Sequence, residues 1–206
     1  MLTPIEYSEK VFIMKRLLLI LILTLNFQSW TKADDISDFE IEGLSIGDSL
    51  LSIANEKQII SSKSNVNYKS DKFVIYRIDE LIDLKIYEYA TVAIKKNDKN
   101  YIINNIAGSI SYKHLTDCLN LRDEIQKEVE NIFKFVETAE TEFKSKRDPT
   151  GKSKIYAIRN YLKPYPSEEA ISIHCYDMSE DTNIPKSLKV SVRNNEYGKF
   201  LINDAY

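Results

Sequence analysis

The chain is mildly acidic: its 206 residues include 28 basic and 31 acidic side chains, for a net charge of −3 at pH 7. Without any run rich in Lys and Arg, this balance argues against nucleic-acid binding, which needs a basic surface to replace phosphate counterions. Removing residues 1–33 takes away four basic and two acidic side chains and leaves a net charge of −5. About 170 residues then remain, which suffice for one domain whose core is stable without a metal.

Residues 1–33 have the pattern of an N-terminal extension followed by a signal peptide. Lys15 and Arg16 precede an apolar run, Leu17 to Leu25, that only Thr24 interrupts. This run has the length of a signal-peptide core and is shorter than the roughly 20 residues of a membrane helix. The small side chain of Ala33 suits signal peptidase. We therefore expect cleavage near Ala33 and a single exported domain over residues 34–206.

The start of translation and the fate of the product follow from the same region. Residues 1–13 contain Glu6 and Glu9, which do not belong in the basic start of a signal peptide, so Met14 is the expected start. No cysteine lies near Ala33, which excludes a lipid anchor on the first mature residue. We expect a periplasmic or secreted protein with no membrane span after cleavage. An uncleaved N-terminal anchor is the alternative, and the short apolar run disfavours it.

The first half of the expected domain reads as a short helix followed by strands. Ser45 and Asp48 have the spacing of a capping box, which predicts a short helix that starts at Ser45. Residues 56–71 lack apolar periodicity and read as a loop with at most a helical turn. Alternating apolar residues then predict three strands, Lys72 to Ile78, Tyr87 to Lys96 and Asn100 to Tyr112.

The second half begins with the strongest helix signal in the chain. Apolar residues recur at helical spacing from Thr116 to about Lys146, and Asp148 to Gly151 ends the pattern. Three more strands follow, Ser153 to Leu162, Glu169 to Tyr176 and Ser187 to Arg193. The sequence thus predicts an α+β fold in which a mostly antiparallel sheet of about six strands packs against one long helix, with a short N-terminal helix.

Residues 43–47 match the G-x-S-x-G pattern of a nucleophile elbow, with Ser45 at its centre. An α/β-hydrolase also needs several strands and an oxyanion loop before the elbow, and only about ten residues of the expected domain precede it. The capping role explains Ser45 and Asp48 without catalysis. We therefore predict no catalytic residue, and keep a periplasmic serine hydrolase using Ser45 as the alternative.

The remaining polar residues suggest no cofactor or metal site. The two histidines, His114 and His174, have no second ligand at metal-like spacing apart from the adjacent Cys175. His174 should point away from Cys175, since neighbours alternate along a strand, and we expect it to be a surface histidine. Four tyrosines of the C-terminal half read as ordinary strand residues, although they also suit a groove for a sugar or peptide: Tyr156, Tyr161, Tyr165 and Tyr176. An acidic turn after the second-last strand lacks calcium-loop spacing: Asp177, Ser179, Glu180 and Asp181.

Cys118 and Cys175, the two cysteines of the chain, are expected to form a disulfide. Export places them in an oxidising compartment. Cys118 lies seven residues before Ile125, close to two helical turns, so both side chains point to the buried helix face. Cys175 alternates with Ile171 and Ile173, which puts it on the apolar face of its strand. The alternative is two buried free thiols that pack as small apolar residues.

Several segments together resemble small exported proteins of unknown function from marine alphaproteobacteria. These segments are Phe39 to Leu51, Asp117-Cys118 at a helix start, His174 to Asp177, and Ile202 to Tyr206. The resemblance covers nearly all of the expected mature chain. It implies export and a shared cysteine pair, and it brings no known activity.

Three functional hypotheses follow. We favour a non-enzymatic periplasmic module that binds an envelope protein, a peptide or a small ligand through its sheet or adjoining loops, because no reactive group of residues stands out. The hydrolase using Ser45 is the second hypothesis. A secreted inhibitor-like protein is the third.

Overall fold

The computed structural model describes residues 32–66, 68–146 and 148–205, so most of the expected signal region, residues 1–31, lies outside the described part. The described chain has three α-helices: α1 (Glu56–Ser61), α2 (Leu115–Ile132) and α3 (Asn195–Asn203). It has seven strands: β1 (Phe73–Arg77), β2 (Tyr89–Lys95), β3 (Ile103–Ser111), β4 (Glu137–Lys144), β5 (Lys154–Tyr161), β6 (Ala170–Asp177) and β7 (Ser187–Arg193). Within these ranges no helix is both long enough and apolar enough to cross a membrane.

All seven strands form one antiparallel sheet in the order β1-β2-β3-β7-β6-β5-β4. The first three strands are connected in sequence order by hairpins, and so are the last four. Helix α2 connects β3, which neighbours the central strand β7, to β4 at the far edge. The predicted α+β class with an antiparallel sheet is confirmed. The predicted strand number was wrong, because the sheet has seven strands where about six were expected.

The additional strand is β4, which the helical pattern had assigned to the long helix. Phe133 already has extended backbone angles, φ −105° and ψ 149°, so α2 stops at Ile132. The apolar residues here have the spacing of a helix stripe: Phe133, Val136, Ala139 and Phe143. However, seven of the eight β4 residues are exposed, so the strand has no buried face. Its eight residues instead pair in register with β5, which supplies the backbone hydrogen bonds that a helix would have formed.

The N-terminal part of the domain also differs from the prediction. Ser45 does not start a helix: its N–H donates to the Asp48 carboxylate at 2.8 Å, which closes a turn. The first helical turn after it is a 3₁₀ segment, Leu50–Ser52, capped by the Ser49 side chain. The segment read as a loop contains α1, whose Asn55 and Gln58 form the reciprocal hydrogen bonds of a capping box.

The main core lies between α2 and one face of the sheet. Cys118, Ile125 and Val129 of α2 are buried against the side chains of β6 and β7 that point the same way, Ile171, Ile173, Cys175, Leu188, Val190 and Val192. On the other side of the sheet, α3 buries Tyr197 and Phe200 against Phe73 and Ile75 of β1. This helix was not predicted from the sequence; it packs on β1, also contacts β3, and its Asn195 accepts a hydrogen bond from the Glu168 N–H.

Polar contacts tie α2 to β4 and β5. Buried Arg122 forms ion pairs with Asp123 at 2.7 Å and with Glu140 of β4 at 2.8 Å. Gln126 and Asn160 exchange two side-chain hydrogen bonds of 2.9 and 2.8 Å. The helix is therefore fixed over the β4–β5 end of the sheet by satisfied polar pairs, and over β6 and β7 by apolar packing.

Cys118 and Cys175 are joined by a disulfide, with their Cα atoms 5.9 Å apart, within the usual range for such a bond. Both side chains are buried, at 3 % and 0 % exposure. The bond connects the first turn of α2 to β6, where the spacing of the sequence had placed both cysteines.

Phe133→Ala should destabilise the fold. Phe133 is 2 % exposed and its ring contacts Phe39, with the ring centroids 5.9 Å apart. Removing a buried phenyl ring leaves a cavity, so the free energy of unfolding should fall by about 3 to 5 kcal/mol in chemical denaturation. Val136→Ala, at a position 54 % exposed, is the matched control and should change it little. Equal stability of the two variants would contradict this role for Phe133.

The disulfide should be present in the purified, unreduced protein, and its loss should be costly. The cysteines are 57 residues apart, and the chain-entropy model assigns about 4 kcal/mol to closing such a loop. We expect an intact mass two hydrogens below that of the reduced protein, and a lower unfolding midpoint for Cys118→Ser with Cys175→Ser. Two thiols that react with an alkylating reagent in denaturant, without reduction, would contradict the bond.

Candidate functional site

Opposite α2, the sheet presents a surface that we call the polar face. The strand register aligns two rows of side chains across β3, β7, β6 and β5: Ala107, Ser191, Ser172 and Arg159 in one, and Ser109, Lys189, His174 and Ala157 in the other. Arg193 borders these rows beside Ala170. The middle of this surface consists of small side chains, while α3 and longer side chains lie around it. The polar face is thus a surface of small side chains with cations at its margin.

Strand β6 supplies the two central groups of the polar face. Its sequence alternates Ile171, Ile173 and Cys175 toward α2 with Ser172 and His174 on the opposite side. This alternation is the ordinary two-residue period of a strand, and burial of the apolar set fixes its direction. His174 therefore points away from Cys175, as the sequence predicted.

Two polar atoms in this site are buried without a partner. Ser172 is 2 % exposed, and within the described ranges neither its Oγ nor Nε2 of His174 has a hydrogen-bond partner. A third such atom, Oε1 of Glu169, lies 3.0 Å from Lys163 Nζ and takes part in that ion pair. Buried polar atoms nearly always find partners, and leaving one unpaired costs about 1 to 3 kcal/mol. The polar face thus contains hydrogen-bonding capacity that the fold does not use.

The surroundings of His174 keep its ring uncharged. Burial, followed by the positive charges of Arg159, Lys189 and Arg193, lowers the pKa of His174 to about 3. The side chain that was expected at the surface is half-buried. On the Nδ1 side, the Tyr176 hydroxyl lies 3.4 Å away. When Tyr176 donates to Nδ1, the imidazole proton resides on Nε2, which is then a donor without an acceptor.

The two arginines of the site are held differently. Arg193 Nε donates to the Glu168 carbonyl at 2.9 Å, and its guanidinium lies 3.4 Å from the Glu168 carboxylate, so its charge is balanced. Arg159 donates to the Thr141 hydroxyl at 3.2 Å and lies 5.5 Å from the centre of the Phe143 ring. Neither of these partners is charged. In the part of the chain that the structure describes, Arg159 forms no ion pair with a carboxylate.

A separate open pocket of about 500 Å³ lies beside the loop between β1 and β2. Its polar groups are largely occupied by the loop itself. Arg77 pairs with the Asp79 and Glu80 carboxylates, and Asp79 also accepts from the Ala90 N–H. Glu42 next to it accepts from three consecutive backbone N–H groups, residues 85–87. We place the candidate site on the polar face, where buried groups lack partners, rather than in this pocket.

The other residues considered from sequence do not form a site. Ser45 is 8 % exposed and its hydroxyl donates to the Phe39 carbonyl at 3.3 Å. His114 is exposed and directly precedes α2. The four tyrosines do not share a groove, since Tyr156 lies on the α2 side of β5 and Tyr161 on the other. In the acidic turn, Asp181 pairs with Lys152 at 2.8 Å. In the described ranges no three His, Cys, Asp or Glu side chains are grouped as a metal site would require.

Sequence reasoning missed most of the polar face. Ser172 could have been identified from the sequence, because it lies two residues before His174 on the same face of its strand. Arg159 and Lys189 were not, because they come from β5 and β7, and only the strand order brings them beside β6.

Comparison with known proteins gives no further assignment: no family model, curated protein or solved structure matches the chain.

Acid should destabilise the protein partly through His174. The native pKa of about 3 lies below the ordinary value of 6.5, so in this range the unfolded chain binds the proton more readily than the native one. The stability that His174 contributes is therefore complete above about pH 6.5 and is lost as the pH falls toward 3. His174→Gln should flatten the dependence of unfolding free energy on pH between about 6.5 and 5.

This pH range separates the contribution of His174 to the pH dependence of stability from the contributions of the carboxylates. Hydrogen bonds from Ser37 lower the pKa of Asp35, and those from Thr150 and Ser153 lower that of Asp148, so both act mainly below about pH 5. His114→Gln removes the same group from an exposed position and is the control. A wild-type slope in His174→Gln would contradict the native environment described for this ring.

Proposed function

We propose that the chain is an exported, non-enzymatic binding module that takes its ligand on the polar face. The observation that carries this proposal is the pair of buried atoms without partners, Ser172 Oγ and His174 Nε2. The two residues are two positions apart on the same face of β6. A fold gains nothing from burying such groups unpaired, whereas a ligand can supply the missing partners. Ligand sites characteristically combine a few convergent polar groups with a preformed surface.

Catalysis by these residues is the less favourable hypothesis. A serine nucleophile needs a base within hydrogen-bond reach, but Ser172 Oγ and His174 Nε2 are each without a partner. A base works best when its pKa is near the working pH, and that of His174 is lowered to about 3. The hydrolase hypothesis for Ser45 gains no support either, since its hydroxyl is directed to a backbone carbonyl.

Export is part of the proposal, and two features support it. The N-terminal sequence has the order of a signal peptide. The two cysteines are joined across the core, as is typical of proteins from oxidising compartments. The resemblance to small exported proteins agrees with this assignment and adds no activity to it.

The test is to map binding onto the polar face. An envelope extract, separated into small-molecule and macromolecular fractions, is added to isotope-labelled protein, and the backbone amide shifts are followed by NMR. We expect shifts centred on Ser172, His174 and Ser191. Ser191→Tyr places a large side chain in the middle of the polar face and should weaken binding by tenfold or more, about 1.4 kcal/mol.

Thr116→Tyr is the matched control, because it makes the same kind of change at an exposed position of α2, on the opposite side of the sheet. It should keep wild-type binding. Binding that survives in Ser191→Tyr, shifts centred on the loop pocket, or no response to any fraction would contradict the proposal.

A further inference from the structure

On the polar face, Ser172 Oγ and His174 Nε2 lack hydrogen-bond acceptors, and positively charged side chains lie next to both residues. Arg159 lies directly across from Ser172 in the pairing of β5 with β6, and Lys189 lies across from His174 in the pairing of β6 with β7. The two rows of the polar face contain no acidic side chain. Of the surrounding cations, Arg193 is balanced by Glu168, whereas Arg159 touches only neutral groups in the described structure.

These groups select against most ligand chemistries. A cationic group would be repelled by Arg159, Lys189 and Arg193. A neutral group could pair with Ser172 or His174, but it would leave the guanidinium of Arg159 without a counter-charge. An oxyanion satisfies all of them, since it accepts several hydrogen bonds at once and pairs with a guanidinium through short, charge-assisted bonds.

We infer that the polar face binds the oxyanion group of its ligand, a carboxylate, sulfate or phosphate, between Arg159, Ser172 and His174. Ser172 Oγ–H and His174 Nε2–H donate to the oxygens, and Arg159 supplies the opposite charge. Lys189 adds to the positive field, and Arg193, held by Glu168, forms the border toward α3. This inference rests on the proposed function and specifies the chemistry of its ligand.

Inorganic sulfate and acetate are the probes, because they present a tetrahedral and a planar oxyanion without any attached molecule. The protein has two histidines, so the imidazole NMR signals of His174 can be followed with those of His114 as an internal reference. Each salt is compared with sodium chloride at equal ionic strength. We expect at least one oxyanion to shift the His174 signals saturably and to raise the pKa of this imidazole, because a bound anion favours its charged form.

Three variants locate the site. Arg159→Gln should weaken binding about tenfold or more, and Ser172→Ala by about two- to tenfold. Lys127→Gln removes the same charge from an exposed position on α2 and should bind like the wild type. Because Ser172 Oγ has no partner in the fold, Ser172→Ala should lose binding without losing thermal stability, which separates a ligand contact from a structural role.

The results distinguish this inference from the proposed function. The envelope fractions could shift the amide signals of the polar face while sulfate and acetate have no effect beyond that of chloride. That result would support the binding module and overturn the inference of an oxyanion site. An equal response of wild type, Arg159→Gln and Lys127→Gln would also overturn the inference, because it would show general salt binding. Loss of both responses would remove the proposed function as well.

Discussion

The organisation of this protein depends on one constraint: α2 covers a single face of an antiparallel sheet whose side chains alternate. Burial under α2 fixes which half of each strand is apolar, and the disulfide between Cys118 and Cys175 holds the helix to β6. The other half of each strand is then left without a part in the main core. On β5, β6 and β7, that second set consists, apart from Ile155, of small residues, hydroxyls, an imidazole and cations. The polar face is thus a consequence of how the core is built.

The position of α2 over the sheet relies on two kinds of contact. Over β6 and β7 the contact is apolar, and it is non-directional. Toward the β4–β5 edge, the contacts are the ion pair of Arg122 with Glu140 and the paired amides of Gln126 and Asn160. Arg122, Gln126 and Asn160 are buried and have partners, so they orient the helix without leaving a buried charge unpaired. They also explain how β4 keeps its place although it has almost no buried side chains of its own.

An element of this fold could be predicted from the sequence when one of its faces is buried. The strands that alternate, such as β6 with Ile171 and Ile173, and the stripe of α2 were evident from periodicity. β4 was not, because it is exposed on both faces and its Glu and Lys residues favour a helix locally, whereas pairing with β5 decides its structure. The turn at Ser45 was misjudged for a related reason: the same two side chains close a turn or cap a helix, and only the following residues decide.

The candidate site was readable only in part, since its groups come from three strands. Alternation around Cys175 fixed the direction of His174, but the positively charged side chains that act on its ring come from β5 and β7. The same assembly explains how a chain with a net charge of −3 brings several cations together on the polar face. Arg159 and Lys189 are far apart in sequence and have no shared motif, yet strand order places them on either side of β6. Cations grouped in this way can attract an anion even when the net charge of a molecule is negative. The net charge therefore argues against an extended basic surface, and it is compatible with a small site for a single negative group.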